Sequence, residues 1–519
     1  MKKLLSLTLV LLMSLGLVAC KRDGASTSDE AATLPSNTFY ILAGSELKDM
    51  AEMVSAFGRT QNINVVFEYT GTLDAVDRLA EAHQFDAVWV SHGKYLQLIP
   101  NIKSQIKASE KTMYSRVVLG VKPAVAKQFG WTTGKVGWSD IVSKVKEGQF
   151  HFAMTNPTGS NTGFVALAGL AAELSGKGDA LEEKDIPSAK LKELFLGQAM
   201  TAGSSGVLAD MMLANPAKVE GIINYESVIR TMSAKGLALD IIIPKEGVIT
   251  ADYPLMLLGT SKKPEFYQKL VDYLRADPTQ KQIAATTFRT PLAGSGVDEV
   301  VNELPFPGSV AVIDAILKGF LDDYSKPSTS FYVLDVSGSM QGKRLASLKE
   351  SMLALASGDS STSGRFSTFR ARESIFITPF SGMPDQTMQF ELSEDASKNK
   401  AVLAEMANSI TRLHADGGTA IFDSIVSIYP QAQEAIRSGG RTVSIVLETD
   451  GVNTVGMNVA DFRRYMDQRG EPRVPIFAIL FGDGNIDEMN ALASMSRGRV
   501  FDAKKVKLAR VMKEIRSYQ

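Results

Sequence analysis

The chain has 519 residues, of which 45% are hydrophobic and 22% are charged, and its formal net charge at pH 7 is −1. This length exceeds one ordinary hydrophobic core, so two or three folded domains are expected. The near-zero net charge argues against an acidic or basic tail and against a general nucleic-acid-binding surface, so no nucleic-acid partner is predicted.

The first 20 residues have the composition of an export signal. Lys2 and Lys3 precede an apolar run at residues 4–18, which is short for a membrane span of ~20 residues. A buried core helix is the alternative, and a first helix this apolar after two lysines is unusual in a core. Cys20, the single cysteine of the chain, follows directly after Ala19.

Residues 17–20 read Leu-Val-Ala-Cys and resemble a bacterial lipobox. The resemblance implies cleavage before Cys20 and attachment of lipid to its thiol, so that several acyl chains hold the protein on a membrane. Lys21 after the cysteine resembles an outer-membrane address in a Gram-negative cell. We therefore predict a cell-envelope location on the periplasmic face of a membrane. Residues 21–36 are rich in Ser, Thr and Ala and predict a flexible tether.

Residues 37–291 alternate strand and helix patterns, which predicts a parallel sheet. Two of the strand-to-helix turns carry Ser45 and Thr72 beside glycines. Hydroxyls and helix N-terminal N–H groups would there point into one crevice and attract anions. The most polar loop, residues 155–163, also ends at a helix start, and Tyr225 closes a later strand.

This order of elements resembles bacterial extracellular solute-binding proteins with two α/β lobes. The resemblance implies that the chain crosses between the lobes near residues 114–121 and 249–257, and that a small solute or oxyanion binds between them. Helix capping is the alternative role for each polar residue, and a cleft kept only for protein recognition is a further alternative. The candidate ligand-binding residues are Ser45, Thr72, Ser160, Asn161, Thr162 and Tyr225.

Residues 292–330 mix Gly, Pro and Ser and contain one predicted helix at 310–324, so a linker between domains is expected here. The next run, residues 331–335, predicts a buried strand that ends in Asp335. Ser337 and Ser339 alternate after it, so one turn can aim three oxygens at a point. Hard cations take such oxygen ligands, whereas the alternative is a plain turn with a helix cap.

Two later segments favour the metal site. Thr419 follows Asp416 and two glycines at a helix start, and Asp450 ends a second buried strand at residues 443–449. In this order the three segments resemble the metal-ion-dependent adhesion site of von Willebrand factor A (VWA) domains. The resemblance implies a divalent cation, Mg²⁺ or else Ca²⁺ or Mn²⁺, with one coordination position open for a partner's carboxylate. Its implied ligands are Asp335, Ser337, Ser339, Thr419 and Asp450.

The predicted fold is α/β throughout. A two-lobed region like that of periplasmic binding proteins is followed, over residues 331–519, by a doubly wound, Rossmann-like VWA domain. The sequence has no Gly-x-Ser-x-Gly elbow, no His-Glu-x-x-His and no phosphate loop with lysine, so no enzymatic activity is expected.

The leading hypothesis is a lipid-anchored envelope protein that binds a protein partner through the cation, with an Asp or Glu of the partner completing the coordination sphere. The alternative is a receptor that captures a small solute or oxyanion for an ABC transporter, with the VWA domain as an accessory.

Overall fold

The computed structural model describes residues 35–292, 302–358, 361–482, 484–504 and 508–519. The predicted export signal, the tether up to residue 34 and Cys20 lie outside these residues, so the expectations about them remain predictions. Within the described part of the chain, no helix combines the length and the apolar character needed to cross a bilayer.

The first folded region, residues 35–292, alternates strands and helices as its sequence pattern predicts. Its strands are β1 Thr38–Gly44, β2 Asn64–Thr70, β3 Ala87–Trp89, β4 Ile106–Lys111, β5 Ser115–Val121, β6 Phe152–Met154, β7 Gln198–Met200, β8 Gly221–Tyr225, β9 Asp240–Ile242, β10 Ile249–Ala251 and β11 Pro254–Leu258. Its helices are α1 Ala51–Thr60, α2 Thr72–Ala80, α3 Lys94–Leu98, α4 Pro100–Lys103, α5 Pro123–Phe129, α6 Trp138–Lys146, α7 Asn161–Ser175, α8 Ser188–Phe195, α9 Ser205–Ala214, α10 Glu226–Ala234, α11 Pro264–Arg275 and α12 Asp277–Thr287.

These strands form two sheets, each the centre of one lobe. Lobe 1 has the strand order β2-β1-β3-β11-β4, and lobe 2 has the order β10-β5-β8-β6-β7 with β9 paired to β5. The expectation of parallel sheets is wrong in part, because β11 runs antiparallel to β3 and β4, and β5 runs antiparallel to β8, β9 and β10. Both strands arrive from the other lobe without the helix that a parallel connection requires.

The chain crosses between the lobes twice, at residues 112–114 and 252–253, close to the two places that the sequence resemblance implied. The two crossing segments are tied to each other. The Thr112 hydroxyl donates to the Tyr253 carbonyl oxygen at 2.7 Å, and the Trp89 indole N–H donates to the same oxygen at 3.0 Å. The lobes are therefore joined by a narrow pair of neighbouring segments.

After the helix predicted at residues 310–324, the second folded region is a single layered α/β unit. That helix is α13 Val310–Gly319, which continues into a π-helical turn at Phe320–Tyr324. The strands that follow are β12 Ser328–Asp335, β13 Ser374–Phe380, β14 Met388–Glu391, β15 Thr442–Thr449, β16 Ile476–Leu480 and β17 Arg499–Asp502. The helices are α14 Lys343–Ser357, α15 Ala396–Arg412, α16 Ile421–Arg437, α17 Val459–Arg469, α18 Ile486–Ser496 and α19 Leu508–Arg516.

The sheet of this region has the order β14-β13-β12-β15-β16-β17, and only the β13–β14 pairing is antiparallel among the described strands. Side chains alternate between its faces, as strand geometry requires. Phe331 and Val333 of β12 join an apolar cluster with α16, α17 and α18, whereas Tyr332 and Leu334 join a cluster with α14, α15 and α19. Helices thus cover both faces, which confirms the doubly wound architecture.

A buried ion pair fixes the end of α19 to this sheet. Both Nη atoms of Arg516 donate to the Glu373 carboxylate, at 2.7 and 2.8 Å, and the two side chains are 1% and 0% exposed. Glu373 also accepts from the Ser330 hydroxyl and from the Arg370 backbone N–H, each at 2.9 Å. A bidentate pair with every carboxylate oxygen satisfied is the geometry that compensates for burying the charges.

Replacing one partner of this pair is expected to be costly. Arg516→Met leaves the Glu373 carboxylate buried and unpaired, so we expect the free energy of unfolding to fall by about 3–5 kcal/mol. The double variant Arg516→Met/Glu373→Leu removes both charges and should recover most of that loss. Urea denaturation of the full chain measures both effects, and a double variant as unstable as the single one would contradict the assignment.

Candidate metal centre and interlobe cleft

Four of the five predicted metal-binding residues lie at or just after the ends of two neighbouring strands, and the fifth, Thr419, lies on the loop before α16. Strands β12 and β15 are paired in parallel, with Leu334 opposite Glu448, so Asp335 and Asp450 stand at the same edge of the sheet. This carboxyl edge is where open α/β sheets place their ligands.

Hydrogen bonds hold the Asp335 carboxylate in one orientation. Its Oδ1 accepts from the Ser337 backbone N–H at 2.8 Å, and its Oδ2 accepts from the Thr449 hydroxyl at 2.6 Å. Burial raises the pKa of Asp335 and the nearby Asp450 carboxylate adds to that rise, whereas the bonds from Ser337 and Thr449 oppose it. The sequence reasoning missed the role of Thr449, because it considered only side chains beyond the strand ends.

The other three loop residues close around the same point. The Ser337 and Ser339 hydroxyls lie 3.1 Å apart, and Ser339 Oγ donates to Asp450 Oδ1 at 2.9 Å. A Cβ placed on Gly451 would lie 3.8 Å from Ser339 Oγ and 3.9 Å from Thr419 Oγ1, so Thr419 faces the cluster as well. The structure therefore brings together all five residues that the sequence singled out.

The donor set fits a hard divalent cation. Two carboxylates and three hydroxyls supply only oxygen ligands, which Mg²⁺ and Ca²⁺ take. Across the described residues no group of three or more His, Cys, Asp or Glu side chains is positioned to hold a metal. Hydroxyls and water must complete any coordination sphere here. Asp335, Ser337, Thr419 and Asp450 are buried, whereas Ser339 is exposed and leaves the site open on one side.

Arg344 is a further charged group at this site that the sequence reasoning missed. Its guanidinium donates to the Asp450 carboxylate and to the Ser339 carbonyl oxygen, the latter at 3.3 Å. Arg344 lies in the first turn of α14, where the helix dipole disfavours positive charge. A positively charged side chain in the first turn of a helix needs an anionic partner, here Asp450. The position of Arg344 was therefore the sequence signal for its role at this site.

Glu448, next to the site along β15, adds no negative charge to it at neutral pH. Its side chain is fully buried and neither carboxylate oxygen has a hydrogen-bond partner among the described residues. Burial raises the pKa of Glu448 to about 8, so the carboxyl is mostly protonated at pH 7. The formal charge of the oxygen cluster therefore comes from Asp335, Asp450 and the opposing Arg344.

The cleft between the lobes is closed by direct side-chain contacts. The Thr72 hydroxyl of lobe 1 donates to Asn161 Oδ1 of lobe 2 at 2.6 Å. The Tyr225 hydroxyl of lobe 2 donates to Ser91 Oγ of lobe 1 at 2.7 Å. Asn161 Nδ2 also donates to Glu46 Oε1 at 3.1 Å. At these residues, side chains of the two lobes therefore contact each other directly.

The predicted cleft residues are distributed around these contacts. Ser45 begins a 3-10 turn at the edge of lobe 1, Ser160 is the residue before α7, and Thr162 is fully buried in the first turn of α7. Sequence reasoning missed Glu46, whose carboxylate bonds to Asn161 across the cleft and whose pKa is raised by burial. Glu46 therefore adds a carboxyl group to the hydroxyl and amide groups that the sequence predicted at the cleft.

Comparison with family models identifies both folded regions. Residues 39–289 match the model described as bacterial extracellular solute-binding protein, and residues 331–515 match the model described as von Willebrand factor type A domain. The chain joins a solute-binding domain to a VWA domain. Both are typically non-catalytic binding modules, and the extracellular family points to a periplasmic or envelope location for the solute-binding domain.

Solved structures similar to the chain are periplasmic binding proteins. One is the binding protein AfuA from Actinobacillus pleuropneumoniae, with fructose-6-phosphate bound, at 15% identity and a TM-score of 0.44, covering 56% of this chain and 99% of that one. Another is the ferric binding protein from Campylobacter jejuni, at 14% identity and a TM-score of 0.41, covering 54% and 96%. A periplasmic thiamin binding protein matches at 13% identity and a TM-score of 0.42, covering 55% and 95%.

These likenesses, with TM-scores below 0.5, carry no functional argument. A search of curated protein sequences finds no match to the chain.

The position of Arg344 predicts how cation affinity responds to its removal. Arg344→Gln takes a positive charge away from Asp450, so a divalent cation should bind more tightly. Because the guanidinium is partly exposed, we expect ~1 kcal/mol, or about fivefold, in calorimetric titrations with Mg²⁺ and Mn²⁺. Arg464→Gln in α17 is the matched control, since Arg464 pairs with Asp461 of its own helix. Weaker cation binding by Arg344→Gln would contradict the prediction.

Proposed function

We propose that this protein, anchored to a membrane of the cell envelope through lipid on Cys20, binds a protein partner through a divalent cation in its VWA domain. The convergence of Asp335, Ser337, Ser339, Thr419 and Asp450 at one sheet edge, with Ser339 exposed, is the observation that supports it. In this proposal Asp335 and Asp450 supply the negative charge and the hydroxyls supply neutral oxygen ligands.

The bound cation would offer a coordination position to an Asp or Glu of the partner. Mg²⁺ usually keeps several waters and is seldom enclosed by protein alone, so a partner's carboxylate can replace one of them. Such an interaction depends on the cation, because two carboxylates and a third one from the partner would otherwise repel each other.

Exposed apolar side chains around the site favour a partner that pairs its acid with apolar residues. Met383, Val452 and Val455 are 68%, 47% and 41% exposed, and they lie on the loops that follow β13 and β15. A Cβ placed on Gly418, next to Thr419, would lie 3.5 Å from Val455 Cγ1. Burying such side chains contributes ~25 cal/mol per Å² of apolar surface, which adds affinity that the cation alone does not supply.

The cation site is tested by an isosteric charge removal. Asp335→Asn keeps the shape of the side chain and removes one of the two ionised ligands, so we expect the affinity for Mg²⁺ and Mn²⁺ to fall at least about tenfold. Asp416→Asn is the matched control, because Asp416 is an exposed carboxylate on the same loop as Thr419. Calorimetric titration measures both variants, and an unchanged affinity in Asp335→Asn would sink the metal assignment.

The partner site is tested with solubilised envelope proteins captured on the immobilised protein. We expect capture in Mg²⁺ that EDTA reverses, that Asp335→Asn abolishes and that Asp416→Asn retains. Met383→Asp should also weaken capture while leaving cation affinity intact, because it places a charge in the apolar rim. Capture that is insensitive to both EDTA and Asp335→Asn would contradict binding through the cation.

A second candidate function is solute capture for an ABC transporter, which the match of residues 39–289 to the solute-binding family favours. Glu46 lies on the cleft side of lobe 1, and its carboxyl favours a hydrogen-bond donor or a cation over an oxyanion. Thermal-shift screening separates the two classes. A stabilising small amine whose effect is lost in Asn161→Ala would support this candidate, and stabilisation by phosphate or sulfate alone would contradict the role of Glu46.

A further inference from the structure

The last helix of the VWA domain, α19, lies against both lobes of the solute-binding domain. Arg510, near its start, contacts lobe 1, and Ser517 and Tyr518, just after its end, contact lobe 2. Ser517 is seven positions after Arg510, which corresponds to about 10 Å along a helix. One rigid element therefore reaches from one lobe to the other.

The contact with lobe 1 is a cluster of charges next to the cleft. Arg510 Nη1 donates to Glu68 at 3.0 Å and its Nη2 donates to Asp74 at 3.2 Å. Glu68 belongs to β2 and Asp74 to α2, so they stand on either side of the cleft residue Thr72. A partly buried arginine shared by two carboxylates is a stronger link than an exposed surface pair.

A second loop of the VWA domain reinforces the same side. The backbone N–H groups of Thr362 and Ser363 donate to the two oxygens of Asp77 in α2, at 2.5 and 2.8 Å. Helix α2 is thus held by the VWA domain at two of its turns, through Asp74 and through Asp77. Hydrogen bonds to an ionised carboxylate are stronger than neutral ones.

In the contact with lobe 2, the Ser517 side chain lies against the backbone of two glycines. A Cβ placed on Gly159 would lie 2.6 Å from Ser517 Cβ, and one placed on Gly203 would lie 2.3 Å from Ser517 Oγ. Behind these glycines, Met200 and Ala202 share one buried apolar cluster with Ile515 and Tyr518. This side of the interface is therefore apolar and buried.

The VWA domain contacts the two chain segments that border the cleft, which we call its lips. Residues 68–77 form the lip of lobe 1 and residues 154–163 form the lip of lobe 2, and each carries predicted cleft residues. The lips also meet each other, since a Cβ placed on Gly71 would lie 2.5 Å from the Gly159 carbonyl oxygen. Opening the cleft would separate two surfaces that α19 holds at once.

We infer that the VWA domain locks the solute-binding domain closed, so that the cleft opens to solution only when α19 leaves one of the two lips. Periplasmic binding proteins generally close by a hinge movement around a ligand. Here contacts from another domain of the same chain hold both lips of the cleft. The inferred lock depends on α19 and on the loop that carries Thr362, whereas the candidate metal site lies at the carboxyl edge of the sheet. This inference is therefore independent of the proposed function.

Hydrogen–deuterium exchange of the full chain tests the lock without a ligand. Arg510→Glu turns the attraction to Glu68 and Asp74 into repulsion, so the open arrangement of the cleft should be populated more often. We therefore expect amide exchange in both lips to become at least about tenfold faster. The charge swap Arg510→Glu/Asp74→Arg restores an ion pair and should return exchange towards the wild-type rate. Arg464→Glu, a charge reversal of an exposed arginine within α17, is the matched control.

Wild-type exchange rates in both lips of Arg510→Glu would overturn the inference. Faster exchange confined to residues 68–77 would overturn it too, because only a shared lock couples that lip to residues 154–163. The charge swap separates loss of the lock from a general failure to fold, since it restores the contact while keeping the Arg510→Glu substitution.

An engineered cross-link tests the lobe 2 contact independently. A Cβ placed on Gly203 would lie 3.5 Å from Ser517 Cβ, within the range of a disulfide. In the full chain with Cys20→Ser, the pair Gly203→Cys/Ser517→Cys should oxidise readily and slow exchange in both lips below the wild-type rate, reversibly with dithiothreitol. Thiols that stay free under mild oxidation, or a cross-link that leaves lip exchange unchanged, would overturn the lock.

Discussion

The parallel pairing of β12 with β15 is the constraint on which the candidate metal centre depends. It brings two chain segments more than a hundred positions apart to the same edge of the sheet, with Leu334 opposite Glu448, so that Asp335 and Asp450 both lie at that edge. The Thr449 hydroxyl, on the last residue of β15, then orients Asp335 at the end of β12. A shift of this register by one residue would send every side chain of the strand to the other face of the sheet. Ser337, Ser339 and Thr419 would then no longer converge on the two carboxylates.

The same sheet positions the VWA domain against its neighbour. One of its faces carries α19, and the buried pair of Arg516 and Glu373 fixes where that helix ends. Arg510 and Ser517, which contact the two lobes, lie within two turns of Arg516. An ion pair inside one domain thus holds the end of the helix that contacts the other domain. The candidate cation site lies at the edge of the sheet, whereas the interface lies on one of its faces.

The sequence predicted that the five candidate metal ligands would converge because their signal is local: each lies at the end of an apolar strand, just after one, or after a glycine pair, and the carboxyl ends of parallel strands meet at one edge of the sheet. It predicted the strand–helix alternation for the same reason. It did not predict the antiparallel strands β5 and β11, because their direction follows from crossings between lobes that local periodicity does not encode. Glu46 and Arg344 were also missed, since each acquires its role from a partner far away in the sequence, Asn161 and Asp450 respectively.

Gly159, in the lip of lobe 2, has a genetic consequence. A methyl group there would lie 2.6 Å from Ser517 Cβ, an atom that no rotation of the serine side chain moves, so an ordinary missense change at this codon would push the end of the last helix outward. In the locked arrangement that we infer, constitutively open alleles should arise more readily at this codon than at Arg510, because loss of Arg510 leaves the contacts of Thr362 and Ser363 with Asp77 in place. A genetic selection that rewards an accessible cleft would recover changes at the Gly159 codon repeatedly.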